Sequence, residues 1–322
     1  MPSPLVSVVI PSFNRLQFTV QAIESVLDQT FCDYEVIVVD NGSTDDSATY
    51  LARHYGTSIR LVRLHTNQGR SIPRNVGVQE ARGPFVAFLD SDDLWLPSKL
   101  ELQLPVLERD PNVGLVHSFS EVISDAGNRM RRETGRRLRL HRDAIRRGYT
   151  YEQMSFRCVL FTSTILVRKK ILEAVGGYDT NMPILEDWDL YLRLSLVAEI
   201  CAVEEVLVSY RQHDAHTTSI EHALGRIHTC HKHLRMLRRH PDLPFAEIAR
   251  RNLFLNLAAA HYVRGKTAEC GRWMKTAIQL DPRVALWPGF LMCTVAAIAP
   301  SRLVDEMRQV KRAIVGQDLR SE

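Results

Sequence analysis

The sequence predicts an α/β protein in which a mainly parallel sheet flanked by helices is followed by a helical C-terminal bundle. Three observations carry that expectation. From Leu5 to about Pro111, short β-rich apolar runs alternate with segments whose apolar residues recur every three or four positions. From Val113 to about Ser219 the two patterns mix, with no linker-like break from the section before. Beyond Ile220 only the helical spacing remains. The expected organisation is one unit over 1–220, with halves 1–112 and 113–220, and a helical region over 221–322.

In chain order, LVSVVI (5–10), EVIVVD (35–40), IRLVRL (59–64) and PFVAFLD (84–90) read as strands. QFTVQAIESVLDQ, DDSATYLARHY and RSIPRNVGVQEAR between them read as helices. Such alternation implies parallel strands covered on both faces. Ligands of these sheets bind beyond the carboxyl ends of the strands. Polar residues that follow strands, 11–15, 40–45 and 90–93, are therefore the first site candidates. In the second section, VGLVHSFSEVIS, TSTILVRK and CAVEEVLVSYR read as strands, GGYD as a turn, and EDWDLYLRLSLVA as a helix with acids at its dipole-favoured start. Three helical segments follow, and the pair around Gly265 resembles a single tetratricopeptide-type hairpin. One such unit makes no solenoid.

With 322 residues, 45% hydrophobic and 24% charged, the chain can bury a large core. Its six cysteines, Cys32, Cys158, Cys201, Cys230, Cys270 and Cys293, contain no C-x-x-C pair, which predicts reduced thiols in a cytoplasmic setting. The opening MPSPLVSVVIPSFNR lacks a basic stretch and a cleavage site, so it reads as a strand and not as a signal peptide. Val284 to Ala299 holds sixteen uncharged residues. A spanning helix needs roughly twenty. A packed helix is the expectation there, with in-plane membrane contact and a span as alternatives.

Arg129 to Arg147 contains nine arginines against Glu133 and Asp143, a local balance of +7 within a net +4. The two readings are a solvated helix and loop, or peripheral contact with anionic lipid headgroups or a phosphorylated acceptor. Nucleic acid is not expected, because no aromatic side chain is available in the cluster for stacking on bases.

The stretch FLDSDDLW places Asp90, Asp92 and Asp93 directly after an apolar run. It could be a helix cap and solvated loop. In a phosphatase of the haloacid-dehalogenase type an Asp-x-Asp supplies a nucleophile and an acid, but that motif follows the first strand. Alternatively, the oxygen ligands hold Mg²⁺ or Mn²⁺ together with a diphosphate. Asp93 reads as a helix cap before Trp95 and Pro97.

SVVIPSFNR, VIVVDNGSTDDS, NQGRSIPRNVGVQEARGPFVAFLDSDD, LEDWDLYLRL and YRQHDAHTTS, in this order, closely resemble the inverting family-2 glycosyltransferases of GT-A fold over about 1–219. The resemblance implies a GT-A nucleotide-sugar half (1–112), an acceptor half (113–220) and a helical appendage. It places Pro11, Phe13 and Arg15 at the nucleotide pocket. Asp40 would accept the ring N–H of uracil or thymine, unless it only caps the following turn. Asn67 opens a loop leading to Arg74, whose guanidinium would reach ribose or diphosphate. Asp90 would contact ribose or a metal-bound water, and Asp92 would ligate the Mn²⁺ or Mg²⁺ directly. Asp187 is the implied general base toward the acceptor hydroxyl, with Glu186 beside it and Asp189 pointing elsewhere. Trp188 either stacks on a sugar or fills the core. Arg211 and His213 are placed on a loop that closes over the diphosphate, and His213 is a further metal candidate.

The activity implied is transfer of one sugar from a UDP- or dTDP-linked donor to a saccharide or lipid-linked acceptor in surface glycan synthesis. No Gln-x-x-Arg-Trp follows the base, which argues against a processive polymerase. The implied location is cytoplasmic, peripheral on the inner face of a membrane. A dinucleotide oxidoreductase would need a Gly-x-Gly-x-x-Gly where IPSFNR stands. A sugar nucleotidyltransferase would carry a glycine-rich loop there. A non-catalytic nucleotide-binding or scaffold protein is the remaining alternative.

Overall fold

The computed structural model describes residues 3–145, 150–212 and 219–286. They fall into two compact units, divided between His216 and Thr217. The first unit opens with β1 (Val6–Ser12), α1 (Leu16–Leu27), β2 (Tyr34–Asp40), α2 (Ser47–Tyr55), β3 (Arg60–Arg63), α3 (Ser71–Glu80) and β4 (Phe85–Phe88). It continues with β5 (Leu94–Trp95), α4 (Lys99–Arg109), β6 (Val113–Ile123), α5 (Arg131–Ile145) and α6 (Tyr151–Phe156). β7 (Ile165–Arg168), α7 (Lys169–Ala174), α8 (Glu186–Leu194) and β8 (Glu199–Arg211) complete it.

Among the described residues all eight strands join one sheet, in the order β3-β2-β1-β4-β7-β6-β8-β5. The half β3-β2-β1-β4 is parallel, as the alternation predicted. β7 then enters antiparallel to both neighbours, β6 and β8 pair in parallel, and β5 closes the edge antiparallel to β8. The sheet is therefore mixed. β1 is central, and its residues 6–10 are all buried, as both faces are covered. On one face Val6, Val8 and Ile10 meet Ala22, Ile23 and Val26 of α1 and the Leu100, Leu104 and Leu107 ridge of α4. On the other, α3 lies so close to β1 that a Cβ on Gly77 would fall 2.2 Å from a Val9 methyl. Only glycine permits that approach.

Two departures from the expected elements have local causes. α4 was not legible because Pro105 stands inside it. The run 162–169 begins as a 3-10 turn over Thr162–Thr164, closed by the Thr164 N–H on Phe161 O at 2.9 Å, and becomes strand only at Ile165.

The second unit contains α9 (Ser219–Arg239), α10 (Ala246–Val263) and α11 (Thr267–Leu280). Gly265, at φ 73°, makes the turn of the predicted hairpin. Trp273 stacks on Phe254 at 5.6 Å, and Asp281 ends the hairpin by accepting from Arg251 at 2.7 Å. The uncharged stretch beyond Leu286, including Cys293, lies outside the described residues.

Candidate active site

The strand ends bring three loops together. Asn14, just past β1 and at φ 51°, donates its backbone N–H to Ser43 Oγ (3.0 Å) and accepts from the Thr44 N–H (2.8 Å). The loops after β1 and β2 are thereby joined, with Pro11 and Phe13 half-buried along them. Asp40 ends β2 and is fully buried. Its Oδ1 accepts the Ser43 N–H at 3.1 Å, so part of its role is to shape the turn. Its Oδ2 has no hydrogen-bond partner among the described residues, only the Arg63 guanidinium 3.5 Å away. A buried acceptor without a donor is costly, and a ligand N–H would satisfy it.

After β4 the acids are sorted. Asp90 accepts from Arg74 Nη2 at 2.6 Å. Asp92 is paired with Arg15. Asp93, expected as a helix cap, is instead buried, accepting from Ser163 Oγ at 2.5 Å and from the Arg211 backbone N–H at 2.9 Å. Burial, with the Asp92 and Asp90 charges beside it, pushes the Asp93 acid well up. Local sequence does not reveal this, because the partners lie 70 and 118 residues away.

α8 presents the second set of acids. Leu185 before it adopts the left-handed conformation (φ 59°), a strain of about 1–3 kcal/mol that the surroundings must hold. Glu186 is buried and accepts from Arg74 Nη1 at 3.0 Å. Asp189 points away, onto Arg193 at 2.9 Å. Asp187 is half-buried and accepts the Trp188 N–H at 2.7 Å, with no basic side chain paired to it among the described residues. Burial first, then Glu186, pushes its carboxyl up to about 7.

Arg74 thus joins the two acid sets from its buried position on α3, and its guanidinium lies 5.4 Å over the Tyr178 ring. Asp90 and Glu186 keep it charged against the cost of burial. Tyr178 and Ser163 are components that the sequence reading missed. Gly177, at φ 65° beside Tyr178, lets the Asn75 amide close on that turn: Asn75 Nδ2 donates to Tyr178 O at 2.7 Å.

Three expected contacts are placed differently. Trp188 is buried and spends its indole N–H on Met154 O at 2.8 Å, so it fills the core. Arg211 is not on a loop but ends β8. Its guanidinium donates to Asp92 O (2.8 Å), Asp125 O (2.7 Å) and Gln21 Oε1 (2.7 Å). Asn67 is exposed, and its amide oxygen accepts from the Gly69 N–H (2.9 Å) within its own turn and from Asn41 (3.0 Å) just past β2. His213 lies outside the described residues.

The family model for glycosyl transferase family 2 matches residues 7–176, which covers the acids after β4 and stops short of α8. An uncharacterized glycosyltransferase of Haemophilus influenzae is 27% identical over 203 residues, 59% of this chain and 62% of its own length. Chondroitin synthase of Escherichia coli is 29% identical over 221 residues, 67% of this chain and 30% of its own. The chain therefore spans less than two-thirds of either relative. Among solved structures, Staphylococcus aureus TarS 1–349 in complex with UDP-GlcNAc superposes with a TM-score of 0.64 at 18% identity, covering 95% of this chain and 92% of that one. A Pyrobaculum calidifontis mannosyltransferase with GDP-Man and Mn²⁺ gives 0.59 at 18%, covering 96% and 88%. The fold is GT-A, and with more than half of its residues matched by the family model the chain belongs to glycosyl transferase family 2.

Proposed function

We propose that the protein transfers a single sugar, with inversion, from a UDP- or dTDP-linked donor to a hydroxyl of a saccharide or lipid-linked acceptor. The observation that carries this reading is Asp187, a carboxyl raised to about 7 at the start of α8, next to Glu186, which Arg74 ties to Asp90 after β4. A base with that affinity for a proton is matched to a hydroxyl near neutral pH. Solved neighbours that hold UDP-GlcNAc or GDP-Man support a nucleoside-diphosphate donor.

In this mechanism the nucleobase N–H meets Asp40 Oδ2, between Pro11 and Phe13 at the end of β1. Asp187 takes the acceptor proton as the acceptor oxygen attacks the anomeric carbon. The bond to the diphosphate breaks on the opposite face, and inversion follows. Arg15 can leave Asp92 for the phosphate oxygens, as a guanidinium fork suits them. Arg74 keeps Asp90 and Glu186 in place, and Arg211 holds the backbone of the acid loop.

The donor set suits Mn²⁺ or Mg²⁺. No group of three acid, His or Cys ligands stands among the described residues. These cations commonly take only one or two carboxylates and complete their shell with phosphate oxygens and water. Asp92 would hold the ion, Asp90 would hold one of its waters, and His213 is the remaining candidate. Bound there, the ion would offset charge on the leaving diphosphate.

The catalytic unit is proposed as 1–220 and the setting as the cytoplasmic face of a membrane. No described helix is long and apolar enough to cross one. The test is a thermal-shift panel of nucleoside diphosphates with and without Mn²⁺, followed by transfer assays. UDP with Mn²⁺ should stabilise the protein. Asp187→Asn should bind UDP normally and lose about 10²- to 10⁴-fold in transfer. Full transfer by that variant would remove Asp187 as the base.

A further inference from the structure

We propose that the exposed arginine arc of α5 is a docking surface for an anionic lipid bilayer. Arg131, Arg132, Arg136, Arg139 and Arg142 are all exposed. At 100° per residue they fall within an arc of about 140° on the helix. The rest of the helix is fixed from inside, so the arc cannot roll away from solvent. Thr134 Oγ1 accepts the Val122 N–H at 2.9 Å, and His141 is buried with its ring 5.2 Å from Phe119. Arg137, a member of the same basic cluster, is turned inward. Its guanidinium lies 4.0 Å from both the Phe161 and Tyr210 rings and donates to Ser120 Oγ at 3.2 Å.

The structure therefore divides a cluster that the sequence presents as uniform. Among its described members one arginine is a strut, Arg129 pairs with Glu121 at 2.7 Å, and five form the outward face. That face is convex, about 17 Å long at 1.5 Å per residue. It carries no aromatic side chain. A single polymer chain is best held in a groove, and bases are held by stacking. A plane of phosphate headgroups fits a convex guanidinium face, each fork taking phosphate oxygens. Tyr210, against Arg137, adjoins Arg211, which bonds the Asp92 carbonyl. Docking through α5 would thus fix the acid loop relative to the bilayer, where a lipid-linked acceptor would reside.

The inference deepens the proposed function on the acceptor side, but its test involves no sugar transfer, so the two can fail separately. The full chain would be sedimented with vesicles of phosphatidylcholine alone or with one-third phosphatidylglycerol, at low and high salt. Binding is expected only to the anionic vesicles and should be abolished at high salt, where charges are screened within about 3 Å. Replacing the five arginines with Gln should lower partitioning at least about 100-fold. The control Arg235→Gln/Arg238→Gln/Arg239→Gln, on exposed positions of α9, should bind like the parent. Circular dichroism would establish that each variant is folded. Three results would overturn the proposal: undiminished vesicle binding by the folded five-site variant, loss of binding only in the α9 control, or equal affinity through the same five residues for soluble polyphosphate or polyuridylate.

Discussion

The loop after β4 and the first turn of α8 both crowd carboxylates together, yet they dispose of them differently. In the loop each acid is matched: Asp90 by Arg74, Asp92 by Arg15, and Asp93 by Ser163 and the Arg211 backbone. In α8 two of three are matched, Glu186 by Arg74 and Asp189 by Arg193, while Asp187 receives only a backbone N–H among the described residues. The loop is arranged to hold positive charge. The helix start is arranged to leave one acid wanting a proton. Burial alone does not separate the two regions, since it also pushes the loop's Asp93 well up; the difference is that Asp90 and Asp92 face guanidinium groups.

Arg74 is common to both regions, so removing it should disturb the contrast most. Arg74→Met leaves the buried Glu186 without its cation and should cost about 3 kcal/mol in urea unfolding, the low end for a broken buried pair because Asp90 is partly exposed. Arg74 also lowers the Asp187 value, so its loss should move that group further up. Adding Glu186→Gln should recover much of the stability if an orphaned charge is the cause. Equal losses in the single and double variants would show that Arg74 serves only to fill space.

The next effect concerns pH. A carboxyl raised to about 7 is a free base only above that pH, so transfer should fall as pH drops through it. The expected loss is about tenfold per unit, read as the acid limb of kcat/KM. A rate that stays flat from pH 7 down to pH 5 would erase the distinction between the two regions.

Much of this architecture is legible in the sequence alone. The half-sheet β3-β2-β1-β4 follows from local periodicity, and so does the placement of Asp40, Asp90 and Asp92 at or just beyond strand ends. What was not legible depends on distant partners. Arg211 looks like a loop cation in YRQHD, but β8 continues through it, pairing Arg211 with Ile123. Trp188 reads equally as a sugar platform or a core residue until Met154 O claims its indole. Asp93 and Asp92 are adjacent in the sequence, and Asp93 is the one met by Ser163 of the 3-10 turn and by the Arg211 backbone N–H. Sequence periodicity reports which face a residue takes, not which remote group answers it.

The smallest predicted effect probes that last distinction. Ser163 is fully buried, donates to Asp93, and accepts the Asp90 N–H at 3.1 Å, so a single hydroxyl reaches both ends of the acid loop. Ser163→Ala removes both bonds without adding volume and should cost about 1–2 kcal/mol in urea unfolding. The Ser163 hydroxyl lowers the Asp93 value, so its removal should drive Asp93 further toward the protonated form. The Asp92–Arg15 pair is untouched. UDP binding with Mn²⁺, followed by calorimetry, should therefore change less than threefold although stability falls. If nucleotide binding collapses while stability holds, Asp93 belongs with the cation-holding acids and not with the struts, and the sorting of this loop fails.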